Sequence, residues 1–231
     1  MSRLLTPKFL LRGFEFSVEA DIFNDTTNRP LTREVDVTPF ELNFDDGSRF
    51  AIDVTRQYER LDEDFDIFDD IVLSAGQKYE FTRYQVGGST ADHRIVSVNA
   101  DYAWGRFFSG RRREATVAFT ARPRRGLSFT FEAERNFLDL TEGSFATSLY
   151  RFFGNTQFTP WVSLANNFQY DTVSRLLGWQ LRFRWIRRPG SDLHMVYMHN
   201  WREDREDRVR RSSFSTVDSR LAAKVVHTIR F

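Results

Sequence analysis

The sequence predicts an all-β fold, an antiparallel up-and-down β-barrel of about 12 strands that takes up residues 1–231 as one domain. Three observations support this prediction. Apolar and polar residues alternate with a period of two along most of the chain. The alternating segments are similar in length, mostly about 9–11 residues. No segment longer than a turn or two has the period of a helix.

The first segment shows the alternation most clearly. Phe14, Phe16, Val18, Ala20 and Ile22 are apolar, and the four residues between them are Glu, Ser, Glu and Asp. A helix would distribute these side chains around all its faces, whereas a strand places them on two opposite faces. The same pattern predicts strands at 9–23, 35–44, 49–58, 79–87, 94–104, 112–121, 127–135, 146–154, 161–171, 175–187, 192–201 and 222–231.

Three of these segments are irregular. The second contains Pro39, which predicts a β-bulge or a late start of the strand, and Val37 has the wrong parity for Phe40, which fits the bulge. The fourth and eighth segments have apolar residues at both parities. In the fourth, for example, Phe81 and Tyr84 point to opposite faces of a strand, which leaves its facing open.

Composition excludes several classes of protein. No run of 18 apolar residues exists, so no transmembrane helix is predicted. The absence of cysteine excludes disulfides and thiolate metal sites. With 33 basic and 32 acidic residues the net charge is +1, and no nucleic-acid partner is predicted. The 24 phenylalanines are more than the core of a small soluble domain needs.

Alternation alone fits two architectures. A soluble sandwich has its apolar face inside, whereas a transmembrane barrel has its apolar face on lipid and its polar face on a lumen. Phe, Trp, Leu and Val side chains dominate the apolar face, and so many bulky groups would overfill a small sandwich core, which favours the barrel. Aromatic residues near predicted strand ends, such as Trp161, Tyr170 and Trp201, are typical of interfacial girdles. We therefore expect a location in a bacterial outer membrane, with its lipid and lipopolysaccharide as partners.

The lengths of the connections also favour a membrane barrel. Short and long connections alternate, and the short ones include Asp46-Gly47 and Pro189-Gly190, which are typical of tight turns. Outer-membrane barrels have short turns at one end and long loops at the other. The connection at residues 172–174 is an exception, because it is short although it falls on the side of the long loops. The predicted long connections are 24–34, 59–78, 136–145 and 202–221.

The last predicted strand has the pattern of an insertion signal. Val225, Ile229 and Phe231 are apolar residues of one parity, and the sequence closes on the phenylalanine. A terminal aromatic residue on an alternating strand resembles the signal of bacterial outer-membrane barrels, although His227 stands where an apolar residue is usual. The resemblance implies the barrel-assembly machinery as a partner.

Several short motifs resemble one bacterial family of unknown function. They lie at 58–62, 75–76, 142–145, 169–175 and 188–193. The most specific is Arg-Pro-Gly-Ser-Asp, which opens the last of these segments. Longer members of the family place a family-nine carbohydrate-binding-like domain ahead of a β-barrel. The resemblance implies an outer-membrane barrel, a carbohydrate ligand for the N-terminal domain and no catalytic residues. The chain is therefore expected to be the C-terminal part of a longer precursor, without its signal peptide.

Charged residues of the polar parity are the candidate functional residues. Acidic ones dominate the first strand and basic ones the last, so closure of a barrel would pair them. They could equally tune the selectivity of a channel or only solvate a wet lumen. The predicted lumen-facing residues are Glu15, Glu19, Asp21, Asp53, Glu132, Glu134, Arg182, Arg184, Lys224 and Arg230.

Other polar clusters carry weaker hypotheses. The acidic run at 62–70 lacks the glycine of an EF-hand and is predicted to be a solvated outer loop, with contact to divalent ions as the alternative. The basic clusters at 111–113 and 210–211 are predicted to be solvated loops or contacts to lipopolysaccharide phosphates. No histidine has metal-ligand spacing, and neither a metal nor another cofactor is predicted.

The sequence thus predicts an integral outer-membrane barrel that acts as a pore, a transport component or an anchor linked to carbohydrate handling. It contains no catalytic motif, so an enzyme is not predicted. Whether the strands close on themselves or form part of a larger barrel stays open. Two alternative functions also stay open, a soluble barrel or sandwich that binds an apolar ligand and an outer-membrane hydrolase that uses Ser163 and His194.

Overall fold

The structure, a computed structural model, describes residues 10–68, 71–206 and 211–228. Every regular element in these residues is a β-strand. The described part contains no helix that is long and apolar enough to cross a membrane. The strands are β1 (Leu11–Asn24), β2 (Pro30–Phe44), β3 (Arg49–Arg60), β4 (Phe65–Phe68), β5 (Ile71–Leu73), β6 (Lys78–Ser89), β7 (Val96–Phe107), β8 (Gly110–Arg124), β9 (Leu127–Asp139), β10 (Ser144–Thr159), β11 (Val162–Asp171), β12 (Leu176–Arg188), β13 (Ser191–Glu206) and β14 (Arg211–His227).

Twelve of these strands form one sheet in the order β1-β2-β3-β6-β7-β8-β9-β10-β11-β12-β13-β14. The strands β4 and β5 form a separate two-stranded hairpin between β3 and β6. The all-β antiparallel fold is confirmed, and each of the predicted segments corresponds to one strand of the large sheet. Closure of the sheet into a barrel and its insertion into a membrane stay predictions.

The chain forms two compact units. Unit 1 comprises residues 1–93, 99–116 and 136–146. Unit 2 comprises residues 94–98, 117–135 and 147–231.

Pro39 interrupts the ladder of β2. The register of β2 against β3 shifts between Val37 and Phe40, and that of β1 against β2 shifts between Glu15 and Ser17. Proline has no N–H to donate, and a bulge at this point accommodates the missing hydrogen bond. The predicted bulge is confirmed.

The turn between β1 and β2 is held by one carboxylate. Asp25 accepts hydrogen bonds from the backbone N–H groups of Thr27 at 2.8 Å and Arg29 at 2.9 Å. Its other oxygen accepts a hydrogen bond from the Arg60 guanidinium at 2.7 Å. These donors, the Arg29 N–H first among them, hold the pKa of Asp25 well below its usual 3.8.

The predicted long connections are mostly wrong. Residues 24–34 contain only a short turn, and residues 136–145 a connection of four residues between Asp139 and Ser144. Residues 202–221 lie largely in β13 and β14. The strands extend further than expected because polar residues at both parities do not by themselves end a strand. Among the described residues, only the connection from β3 to β6 is long, and it contains the β4–β5 hairpin.

This long connection packs onto the sheet strands of unit 1 through a small apolar core. Leu73 is fully buried and Leu61 is 8% exposed. The ring of Phe108 lies 5.9 Å from that of Phe65 and 5.4 Å from that of Phe81, measured between centroids. We name these five residues the loop cluster. It fixes the connection to the sheet, so the segment is more than the solvated loop that its acidic residues predicted.

Candidate functional site

The strand registers of unit 1 assign its side chains to two faces. Val37, Val54, Tyr84 and Trp104 lie opposite one another on successive strands and therefore share one face. We name it the apolar face of unit 1. The rings of Tyr84 and Trp104 stack at 5.9 Å and are 44% and 39% exposed. Because Tyr84 rather than Phe81 belongs to this face, the facing of the fourth predicted segment is resolved.

The opposite face of the same strands is polar, and its side chains are joined across strands. Thr38 donates a hydrogen bond to Asp53 at 2.7 Å, and the Thr55 hydroxyl donates one to Asp36. All four residues are half-buried. The structure thus places Asp53, a predicted lumen-facing residue, in a hydrogen-bonded position on the polar face.

One carboxylate neutralises two guanidinium groups on this polar face. Glu114 lies 3.1 Å from Arg83 and 2.8 Å from Arg112, and Arg112 also donates to Asn136 at 2.8 Å. The three charged side chains are only 23–25% exposed, less than the aromatic rings of the apolar face. A water-soluble sheet protein has the reverse arrangement, with apolar groups enclosed and charges exposed.

The polar face of β1 and β2 carries an acidic strip of six carboxylates. They lie directly opposite each other as the pairs Glu15–Glu41, Glu19–Asp36 and Asp21–Glu34. Glu15 accepts a hydrogen bond from Asn43 at 3.1 Å, and Arg49 pairs with Glu41 at 2.5 Å. Like charges directly opposite each other destabilise a strand pair, so the strip favours cations or water beside it.

Aromatic side chains cover the apolar face of unit 2. Phe152, Phe168 and Trp179 lie opposite one another on β10, β11 and β12. Their ring centroids are 6.3 Å and 5.6 Å apart, and Phe129 stacks on Phe152 at 6.2 Å. Phe129 is 38% exposed although such a row would form the core of a soluble domain.

A basic row crosses the polar face of unit 2. Ser163, Arg184, His194 and Lys224 lie opposite one another on the four strands β11 to β14. Asp192 lies 3.6 Å from the Arg184 guanidinium and 3.9 Å from the His194 ring. The row therefore brings together two of the predicted lumen-facing residues, Arg184 and Lys224, with one carboxylate beside them.

The same row does not form the hydrolase site. Ser163 and His194 are on strands that both neighbour β12, so two strand spacings, about 9.5 Å, separate them. Arg184 lies between them. A serine nucleophile needs its base within hydrogen-bond distance, so this pair has no catalytic geometry.

The remaining predicted charges of unit 2 have local partners. Glu132 accepts a hydrogen bond from Arg151, and Arg182 donates one to Gln180 at 2.8 Å. Glu134 lies on β9 at the parity of Glu132.

The predicted insertion signal falls mostly outside the described residues. Ile229, Arg230 and Phe231 lie beyond them. Val225 is described, lies opposite Leu193 and is 76% exposed.

A small pocket on the polar face of unit 2 is lined by amide side chains. Its volume is about 330 Å³, and its lining includes Asn167, Gln169, Gln180 and Asn200 together with the carboxylate of Asp171. A Cβ at Gly178 would lie 3.1 Å from the Asn200 Oδ1, so the glycine keeps the pocket open. Among the described residues, the buried Asn167 Oδ1 has no hydrogen-bond partner. Amides both donate and accept, which suits a hydroxyl-bearing solute in this amide pocket.

The acidic run of the long connection is not arranged as a cation site in the described residues. Asp62 pairs with Arg60 at 2.9 Å, and Asp64 accepts the backbone N–H of Ala75 at 2.7 Å. In the described part of the chain, no three acidic or histidine side chains are positioned to hold a metal ion.

Sequence reasoning missed the shared carboxylate of Glu114 and the amide pocket. The parity of Arg83 beside Tyr84 was a usable signal for the first, once the facing of β6 was known. The second gave no signal, because scattered Asn and Gln residues form a pocket only after three strands are aligned in register.

Comparisons with known proteins found no match. No protein-family model matches it, and neither does any curated protein or solved structure. The family resemblance of its short motifs stays a prediction.

Proposed function

We propose that the chain is an integral β-barrel of a bacterial outer membrane, with its apolar face on lipid and its polar face on a lumen. The observation that carries this proposal is the reversed exposure of the two faces. Phe131 at 48% and Tyr84 at 44% are more exposed than Arg83 at 23% and Glu114 at 25%. Water would favour the opposite order, whereas lipid favours this one.

The spacing of two aromatic levels in unit 2 supports the proposal. Trp185 lies opposite Val162, and Leu177 lies opposite Tyr170, so Trp185 and Tyr170 mark levels eight residues apart on β11. Eight residues of strand are about 27 Å, or about 20 Å along the membrane normal at a tilt near 40°. An outer-membrane barrel has an apolar band about 25 Å tall between its aromatic girdles.

Closure of the sheet is part of the proposal. In hydrocarbon the free edges of β1 and β14 need partners, either each other or further strands of a longer protein. The acidic strip at one end of the strand order and the basic row at the other are electrostatically complementary, which supports pairing of β1 with β14.

The amide pocket and the charged polar face support a role in solute passage. Neutral amides beside a wet lumen bind hydroxyl-rich solutes, so we propose carbohydrate-like solutes as cargo. Anchoring of a carbohydrate-binding domain is the alternative role in the same membrane. The proposed partners are outer-membrane lipid, lipopolysaccharide and the barrel-assembly machinery.

Refolding into detergent micelles and vesicles tests the membrane proposal. We expect the chain to require detergent or lipid for solubility and to migrate faster on a gel when unheated than when boiled. A chain that stays monomeric and folded in buffer alone would contradict the proposal and favour the soluble barrel that binds an apolar ligand.

Liposome swelling tests the transport role separately. A pore predicts entry of neutral sugars in proportion to reconstituted protein, and Gly178→Leu, which fills the amide pocket, is expected to slow it. Normal folding without any sugar entry would leave anchoring as the role.

A further inference from the structure

A long groove lies on the apolar face of unit 1, at the end nearest the β3–β6 connection. Its volume is about 1290 Å³, and strands β6, β7 and β8 contribute most of its lining. The groove has an aromatic level and a basic level.

The aromatic level is a flat platform. Trp104 stacks on Tyr84 at 5.9 Å and on Tyr102 at 5.5 Å, with interplanar angles of 29° and 23°. The three side chains are 39–44% exposed. Amphipathic aromatic rings of this kind are favoured at the boundary between acyl chains and headgroups.

The basic level lies one step further along the same strands. Arg56 is opposite Thr82, two residues beyond the row of Tyr84, which corresponds to about 7 Å. Arg106 stands two residues after Trp104 on β7. Both arginines are exposed on the apolar face and line the groove.

Strand β8 adds two further guanidinium groups. Arg111 and Arg113 are exposed and line the groove, whereas Arg112 between them pairs with Glu114 on the polar face. The guanidinium of Arg113 lies 5.9 Å from the centroid of the Phe137 ring, which holds it beside the aromatic level.

Positive charge predominates in this groove. Five arginines and two carboxylates, Glu80 and Asp139, line the groove, and one of the five, Arg112, pairs with Glu114. Glu80 pairs with Arg56 at 3.5 Å with both side chains largely exposed, and Asp139 accepts a hydrogen bond from Ser144. Within the described residues, Arg106 and Arg111 have no ion pair.

From this succession of an aromatic level and a basic level we infer that the groove binds a phosphorylated lipid. The acyl chains lie on Tyr84 and Trp104, and the phosphate lies on Arg106, Arg111 and Arg113. Guanidinium forks bind phosphate oxygens bidentately, and the adjacent exposed aromatic platform provides the apolar contact that a free anion does not use. The inference rests on the proposed function, because it needs the apolar face of unit 1 to meet lipid.

Native mass spectrometry of the delipidated full chain in nonionic detergent tests this site. The probe is a diacyl phosphatidic acid, compared with phosphatidylcholine of the same chains and with soluble glycerol 3-phosphate. We expect the triple variant Arg106→Gln/Arg111→Gln/Arg113→Gln to bind phosphatidic acid at least about tenfold more weakly, the effect of losing one or two charge-assisted hydrogen bonds.

A matched control separates a site from bulk charge. The triple variant Arg124→Gln/Arg125→Gln/Arg187→Gln removes the same charge from exposed positions elsewhere in the sheet. It is expected to bind phosphatidic acid within about twofold of the unaltered chain, since exposed charges outside the site contribute little.

Three results would overturn the inference. They are unchanged binding by the groove variant, an equal loss in the control variant, and glycerol 3-phosphate binding as tight as that of the lipid. The last result would indicate an anion site without lipid contact. The difference between heated and unheated gel mobility, measured on each variant, reports the barrel itself, so failure of the lipid site is distinguishable from failure of the proposed function.

Discussion

A lysine at the centre of β8 distinguishes a face that meets lipid from a face that meets water. Val117 is the central residue of this strand, seven residues or about 24 Å from either end, and it is 46% exposed. We expect Val117→Lys to destabilise the protein in a bilayer by about 2–4 kcal/mol, the range for lysine at the midplane of a barrel. That range corresponds to about 30- to 700-fold in the folding equilibrium. In water, the same exposed substitution would change stability by only about 0.5 kcal/mol.

Ala118→Lys is the matched control. Ala118 is the next residue, so its side chain lies on the polar face, and the change in charge is the same. We expect it to cost about 1 kcal/mol or less, because the ammonium group remains in a wet environment. Urea titrations of the chain in phospholipid vesicles, followed by tryptophan fluorescence and by gel mobility, measure both free energies of unfolding. The reasoning would be refuted if Val117→Lys unfolded like the unaltered chain, or if Ala118→Lys were the more destabilised of the two.

Three further substitutions test local features. Because the folded pKa of Asp25 is lowered, its carboxylate stabilises the β1–β2 turn fully above pH 3.8 and progressively less as the pH falls towards the folded pKa. Asp25→Asn should therefore reduce the amide protection of the turn at neutral pH and remove this pH dependence, as hydrogen exchange would measure. Glu114→Gln removes the carboxylate that Arg83 and Arg112 share and should cost about 1–2 kcal/mol in urea unfolding. The exposed Glu80→Gln should cost less than about 0.5 kcal/mol. Gly105→Ala places a Cβ 2.4 Å from a carbonyl oxygen of β6 at a φ of 151°, and it should destabilise the protein by about 1–3 kcal/mol in thermal unfolding. The control Gly13→Ala has no atom within 4 Å of its new Cβ and should not destabilise the protein. Equal stabilities of the two variants would contradict the clash.

The strands could be predicted from the sequence because alternation is a local property. The bulge at Pro39 was also predictable, since one residue without an N–H and one change of parity identify it. The lengths of β13 and β14 were not, because charged residues at both parities occur in loops and in water-exposed strands alike. The loop cluster could not be predicted either, since Phe65 and Phe108 meet only after the β3–β6 connection folds back.

Some features of the candidate sites could likewise be predicted from the sequence, and others could not. Parity alone assigned Asp53 to the polar face, where it bonds Thr38. The groove of unit 1 needed the register of three strands, because Arg56 and Arg106 are distant in sequence and become neighbours only through β6. Sequence predicted basic residues at 111–113 but not that the central one faces away from the other two.

The pairing of β3 with β6 continues without a register shift from Arg49–Ser89 to Arg60–Lys78. The intervening segment, residues 61–77, is therefore an insertion at the tip of an otherwise complete hairpin. Its removal deletes no ladder hydrogen bond of the large sheet, but it takes Leu61, Phe65 and Leu73 out of the loop cluster and uncovers the rings of Phe81 and Phe108. A short turn, an epitope or a foreign domain grafted between residues 60 and 78 therefore keeps the strand register, but it has to shield the Phe81 and Phe108 rings that the native segment covers.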